Sequence, residues 1–191
     1  AVHGAVRLHC WRGGMRSESV AWLVAQSGVT PYVLDGGYKS YRNEVLARFA
    51  QPYSLIILAG MTGAGKTEVL AELQKLGEQV VDLEGFAHHK GSAFGWLGES
   101  AQPSTEQFEN ELALLLQACS PQRRLWLEDE SKNIGKVLIP NAWYEQMSAA
   151  PRVVLETDPQ TRLERLLRLY ANYPPEELIT CVEKIRKRLG G

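Results

Sequence analysis

Residues 54–67 read 54-SLIILAGMTGAGKT-67, an apolar run of strand length that enters a glycine-rich turn and continues into a helix. Gly60, Gly65, Lys66 and Thr67 occupy the fixed positions of the Walker A pattern, and Gly63 adds a further glycine inside the turn. Glycines let successive backbone N–H groups converge on an anion. The lysine brings a point charge to the outer phosphates, and the threonine hydroxyl suits Mg²⁺. Beyond the turn, Val69, Leu70, Leu73 and Leu76 recur at helical spacing. The stretch therefore predicts a P-loop domain whose ligand carries a diphosphate or triphosphate; a nucleotide such as ATP would satisfy it as well as any other.

Working outward toward the C-terminus, the pattern predicts strands at 79–83, 123–127 and 152–156. Helices are expected at 104–119, 141–149, 159–170 and 174–189. Strands alternating with helices imply a parallel sheet with helices on both faces. Glu128 and Asp129 end one of these strands, where a Walker B acid stands, and with Thr67 they are the candidate Mg²⁺ residues; Asp82 is held in reserve. The run 86-FAHHKGSAFG-95 is polar, basic and rich in glycine, which predicts a surface loop at the ligand-binding end of the sheet. His88 and His89 are adjacent and point apart, so solvent or RNA is their expected partner instead of a shared metal.

Toward the N-terminus, residues 5–9 alternate as a strand and deliver the loop 10-CWRGGMRS-17, followed by a helix at 20–26, a strand at 30–35 and a helix at 38–49. Residues 50–53 read as a linker. Strand, cysteine loop and helix form an anion-site layout with Cys10 as nucleophile and Arg12 and Arg16 as its cations. Lowering a thiol pKa by two units takes about 2.7 kcal/mol. A cation at about 5 Å in an effective dielectric near 20 supplies roughly 3 kcal/mol, against about 1 from a helix N-terminus, so the arginines are expected to dominate. His9-Cys10, five residues, then Arg16-Ser17 is also the pattern of cysteine phosphatases, and the loop alone leaves that alternative open. About fifty residues are too few to close an α/β domain. The chain starts at Ala1, not methionine, so an N-terminal half domain is expected to be missing, and Gly190-Gly191 looks equally abrupt.

The 191 residues are 45% apolar, enough to bury a core, and the net charge is -1. That balance hides an asymmetry. Residues 1–50 carry six basic and three acidic groups, 51–150 seven and thirteen, and 151–191 eight and six. A polyanion would meet the ends of the chain. Cys10, Cys119 and Cys181 form no C-x-x-C pair, which argues against a disulfide framework or a cysteine zinc site. The longest apolar run, 55–59, is far too short to span a bilayer, and no signal-peptide pattern is present, so a cytoplasmic location is expected.

Taken together, 10-CWRGGMRS-17, 60-GMTGAGKT-67, 81-VDLEGFAHHKGSAFG-95 and 127-LEDESKNIG-135 resemble the tRNA 2-selenouridine synthase family in order and spacing. The resemblance implies an α/β chain: the C-terminal half of a rhodanese-like domain over residues 1–50, then a P-loop NTPase-like parallel sheet over 54–191. It implies conversion of wobble 2-thiouridine in tRNA to 2-selenouridine through an S-geranyl intermediate, with geranyl diphosphate and selenophosphate as substrates. Cys10 would carry selenium, with Arg12 and Arg16 holding the selenophosphate anion. Gly60, Gly63, Gly65, Lys66 and Thr67 would cradle a diphosphate with Mg²⁺, and His88, His89, Lys90 and Lys132 are candidates for RNA or substrate contact. Lys90 and Lys132 stand where arginine is expected in many members, which keeps the charge but not the bidentate fork.

Overall fold

A computed structural model describes residues 4–188, with side chains as far as Arg186. The expected helix end at Leu189 and the side chains of Lys187 and Arg188 lie outside the described residues. The chain divides into two compact units, Ala1–Arg48 and Phe49–Gly191.

The first unit runs β1 (Ala5–Leu8), α1 (Met15–Gln26), β2 (Thr30–Val33), α2 (Gly37–Arg48). The two strands pair in parallel, Ala5 opposite Thr30 and Leu8 opposite Val33. α1 begins at Met15 and not at residue 20, because Gly13 and Gly14, at φ 69° and 113°, turn the chain so that Arg16 and Ser17 enter the first helical turn. Polar residues belong there, since the first N–H groups of a helix have no partner within it. The start of α2 closes on the cysteine loop: Tyr38 N–H donates to Cys10 O at 2.9 Å and Lys39 N–H to Trp11 O at 2.8 Å. Gly37, at φ 65°, is required at this contact, since a Cβ would run into Gly13 N and Cys10 O.

The second unit opens with β3 (Ser54–Ala59), α3 (Lys66–Lys75), β4 (Gln79–Val81), α4 (Leu83–Ala87) and α5 (Thr105–Ala118). It continues with β5 (Arg124–Glu128), the short strands β6 (Asn133–Ile134) and β7 (Val137–Leu138), α6 (Asn141–Ala149), β8 (Arg152–Val154), α7 (Pro159–Tyr170) and α8 (Pro175–Arg188). The main sheet has the order β4-β5-β3-β8, and every pairing is parallel. Right-handed crossovers then carry α3 to one face and α5 and α6 to the other, because the chain steps in opposite directions across the sheet. β8 forms an edge and leaves Val153 and Val154 exposed.

Apolar alternation in β3 and β5 puts Ile57, Leu125 and Leu127 in the core with no exposure, alongside Phe108 and Leu112 from α5. Ser104 caps α5 by accepting from Gln107 N–H at 3.1 Å. Residues 50–53 are not a free linker. Phe49 and Tyr53 pack edge-on against Trp143 with ring centroids 6.2 and 5.2 Å away. Gln146 of α6 holds the same stretch, accepting from Tyr53 N–H at 3.1 Å and donating to Phe49 O at 2.9 Å.

Two further elements depart from the sequence reading. Part of the expected surface loop is the helix α4, capped by Asp82, whose Oδ1 accepts from Gly85 N–H at 2.8 Å. Leu83, Ala87 and Leu97 are fully buried, so the polar appearance of this segment conceals apolar anchors. The antiparallel pair β6–β7, closed around Gly135 at φ 60°, has too few residues to show periodicity. Among the described residues no helix is long and apolar enough to cross a membrane.

Candidate functional site

β3 ends at Ala59, and the chain loops back to α3, which starts at Lys66 with Gly65 (φ 98°) at the N-cap. Gly63 and Gly65 adopt left-handed backbone, and any Cβ at Gly63 would press on Arg162 O and Leu166 of α7. Lys66 Nζ lies 3.4 Å from Gly60 O and 3.7 Å from Glu128 Oε2, so its ammonium spans the mouth of the loop. Thr67 Oγ1 donates to Glu128 Oε1 at 2.8 Å. A lysine, a hydroxyl and a strand-end acid thus converge on one point at the carboxyl edge of the sheet, where open α/β folds bind ligands.

Glu128 is 1% exposed. Burial raises its pKa, while the hydrogen bond from Thr67 and the charge of Lys66 act against that rise. Glu84, Glu128 and Glu130 bring carboxylate oxygens within 4.8 Å of one another. Burial and the Glu128 charge push Glu84 up to about 9, and burial pushes Glu130 up to about 7. Gly91 (φ 61°) closes over this pair; a Cβ there would fall 2.6 Å from both Glu84 and Glu130. Thr67 and the three carboxylates are all hard oxygen donors, which fits Mg²⁺. Of the expected acids, Glu128 stands at this point, and Asp129 lines the same cleft with its carboxylate 3.8 Å from Arg152 Nε. Asp82 is engaged as the cap of α4.

α7 contributes cations that sequence reasoning missed. Arg165 Nη1 donates to Ala64 O at 2.8 Å, and Arg162 Nε donates to Thr62 O at 3.1 Å. Both guanidiniums therefore lean on the phosphate loop. Their spacing, i and i+3 on a helix that begins shortly after a parallel strand, is the signal that was available. The cleft over the loop is about 740 Å³ and is lined by Lys66, Glu84, Glu128, Arg165, Leu169 and Tyr170 among others.

Of the other predicted contacts, His88, His89 and Lys132 line a second cavity, while Lys90 lines the cleft over the loop. His89 is buried, and burial and then the Lys184 charge lower its pKa. Among the described residues its Nδ1 has no hydrogen-bond partner. His88 Nδ1 sits 2.9 Å from Ser100 Oγ and 3.0 Å from Ala101 O. Lys90 is half-buried along the P-loop cleft, donating to Leu97 O at 2.8 Å and pairing with Glu99 at 2.9 Å. Lys132 is exposed.

In the first unit, Cys10 sits at the mouth of its loop with its pKa lowered, first by the hydrogen bond from Ser17 and further by backbone N–H groups of Ser17, Arg12 and Gly13. Ser17 Oγ lies 3.5 Å from Cys10 Sγ and 3.0 Å from Gly14 O. The expected arginine effect is thus replaced by a buried hydroxyl and backbone dipoles; Arg12 and Arg16 are both exposed. The helix start at Met15 is what carries Ser17 to the thiol.

A parallel sheet, a glycine-rich loop with Lys66 and Thr67, and a buried strand-end acid define a P-loop α/β domain. Residues 53–191 match the family described as the tRNA 2-selenouridine synthase AAA domain, and the chain belongs to that family. It is similar to the tRNA 2-selenouridine synthase of Shewanella loihica, 40% identical over all of this chain and 56% of that protein. The enzyme of the same name from Shewanella woodyi is 43% identical over 89% of this chain and 46% of its own length. That of Pseudomonas fluorescens is 38% identical over all of this chain and 56% of its own. The chain thus spans about half the length of these curated relatives.

Proposed function

We propose that this chain forms part of a tRNA-modifying transferase that converts wobble 2-thiouridine to 2-selenouridine through an S-geranyl intermediate, acting in the cytoplasm. The convergence of Lys66, Thr67 and Glu128 beneath a glycine loop, in a member of this family, carries the reading. The P-loop takes the diphosphate of geranyl diphosphate. Lys66 neutralises the leaving group, and Arg165 adds a guanidinium fork beside it, so that positive charge is already in place where negative charge develops on the departing oxygen. Thr67 and Glu128 would hold Mg²⁺, which supplies further charge to the phosphates when bound.

The first unit is read as the C-terminal half of a rhodanese-like domain. Cys10, its thiolate favoured by Ser17, is the nucleophile offered to the phosphorus of selenophosphate, with the exposed Arg12 and Arg16 available to the anion; an S–P bond forms as the P–Se bond breaks, hydrogen selenide is freed to displace geranyl thiol from the uridine, and water hydrolyses the S-phosphocysteine. Geranylation makes the uridine sulfur a leaving group for the later displacement. The two loops then serve different steps.

The test is nucleoside mass spectrometry on thiolated tRNA treated with geranyl diphosphate, selenophosphate, Mg²⁺ and the protein extended to the length of its relatives. Cys10→Ala is expected to accumulate S-geranyl-2-thiouridine, and Lys66→Ala to abolish geranylation while still selenating supplied S-geranyl tRNA. Intact geranylation in Lys66→Ala would show the P-loop role to be wrong.

A further inference from the structure

A second cavity, of about 1060 Å³, opens beside the phosphate cleft and shares Gly91, Ser92, Glu99 and Ser131 with it. Its walls come from the segment after α4, the β6–β7 hairpin and α8. Three lysines line it, Lys132 and Lys136 from the hairpin and Lys184 from α8. Among the described residues no ion pair engages any of them, and the lining acid, Glu99, is already paired with Lys90. Trp96 presents a 37% exposed indole, with Lys184 Nζ 5.7 Å from its ring. His89, nine-tenths buried, adds an Nδ1 with no hydrogen-bond partner among the described residues. Gly95 and Gly135 box that ring in: a Cβ at Gly95 would meet His89 Nδ1 at 2.7 Å, and one at Gly135 would meet its Cδ2 at 2.8 Å.

Unpaired cations, an aromatic face and an unsatisfied buried polar atom are together the chemistry of a single-stranded nucleic acid site. A prenyl chain would find too many polar groups here, and a bare anion would have no use for the indole. We infer that this cavity holds the RNA nucleotide to be modified, its strand phosphates on Lys132, Lys136 and Lys184 and its base against Trp96 with His89 at the base edge. The assignment rests on the tRNA reading above and adds the place where tRNA enters. It also extends the candidate contacts: Lys90 lines the neighbouring phosphate cleft, while Lys136, Lys184 and Trp96 join His89 and Lys132 here. The shared wall puts the base next to the phosphate cleft, as alkylation of a base by a bound diphosphate ester requires.

The experiment titrates this chain with a fluorescent stem-loop RNA bearing 2-thiouridine in its loop, and separately with inorganic pyrophosphate. Lys132→Glu/Lys184→Glu is expected to weaken RNA binding at least ten-fold and to lower the slope of log affinity against log salt by about 1.4, the value for two single-strand phosphate contacts. Trp96→Ala should weaken it several-fold. Pyrophosphate affinity should stay unchanged in both, which also reports that the variants are folded. Wild-type RNA affinity retained in both variants overturns the cavity assignment and leaves the tRNA reading standing. A wild-type chain that binds pyrophosphate but no RNA overturns the tRNA reading, and this inference with it. Uridine monophosphate binding as tightly as the stem-loop, through the same side chains, would replace RNA by a free nucleotide.

Discussion

Thr67 Oγ1 donates a 2.8 Å hydrogen bond to Glu128 Oε1 across 61 residues of chain, tying the first turn of the P-loop helix to the end of the neighbouring strand. The same carboxylate faces Lys66 Nζ at 3.7 Å through its other oxygen. Glu128 is therefore both a structural clamp and the carboxylate placed to meet a cation.

Those two roles separate in Glu128→Gln and Glu128→Ala. Glutamine keeps an acceptor for Thr67 but loses the charge, so the denaturant midpoint should fall less than in the alanine variant while Mg²⁺-dependent pyrophosphate affinity falls at least ten-fold. Alanine leaves Lys66 without its buried partner and should cost about 3–5 kcal/mol of stability. Equal metal-dependent affinity in the glutamine variant and the wild type would remove Glu128 from the cation site.

Arg165→Ala should weaken pyrophosphate binding by about ten-fold or more, because the guanidinium beside Gly63 and Ala64 is lost from the cradle. Arg165→Lys should recover part of the affinity, since charge returns without the fork. Arg162→Ala, whose side chain holds Thr62 O further along the loop, should have the smaller effect. Calorimetric titration that ranks Arg162 above Arg165 would contradict this geometry.

The Glu84–Glu130 pair makes stability depend on pH in a definite direction. Their pKa values are raised from an ordinary 4.5 to about 9 and about 7, so between those limits the folded protein holds protons that the unfolded chain has released. Stability is therefore fullest below about pH 4.5 as far as this pair is concerned, and falls as pH climbs toward 9. Glu84→Gln mimics the protonated side chain and should flatten that fall, making the variant more stable than the wild type at alkaline pH. Denaturant midpoints measured from pH 5 to 9 decide it; parallel curves would mean the proton is not held here.

Ser17→Ala should raise the pKa of Cys10 and slow its alkylation near neutrality, since the hydroxyl is the chief group lowering it. Arg16→Ala should shift the pH profile less. A profile governed by Arg16 instead would restore the arginine as the dominant neighbour.

The P-loop was fully legible in the sequence, because its glycines, Lys66 and Thr67 are set by local backbone geometry and spacing. α5, α6 and α7 were legible through periodic apolar faces. Arg165 was not, because an arginine on an amphipathic helix looks like a solvated side chain until the tertiary fold lays that helix on the loop. The segment around His89 and Lys90 reads as a surface loop for the converse reason: its polarity suggests solvent, while Leu83, Ala87 and Leu97 draw it inward. Ser17 was overlooked beside Arg16 because charge outweighs a hydroxyl on paper, whereas burial and helix position favour the hydroxyl here.

The sheet order also bears on how the protein is made. β3, which leads into the phosphate loop, is the first strand of its unit to leave the ribosome, yet both of its neighbours come late: Leu55 pairs with Leu125, and Ile57 with Arg152. Closing such long intervals is slow, because chain entropy is lost before the contacts that reward it can form. The cradle is thus synthesised early and completed late, and during that interval the apolar faces of Leu55, Ile57 and Leu58 have no sheet to join. A nascent chain halted before residue 152 should leave the loop disordered and call on chaperones, whereas one released beyond it can close the sheet in a single cooperative step.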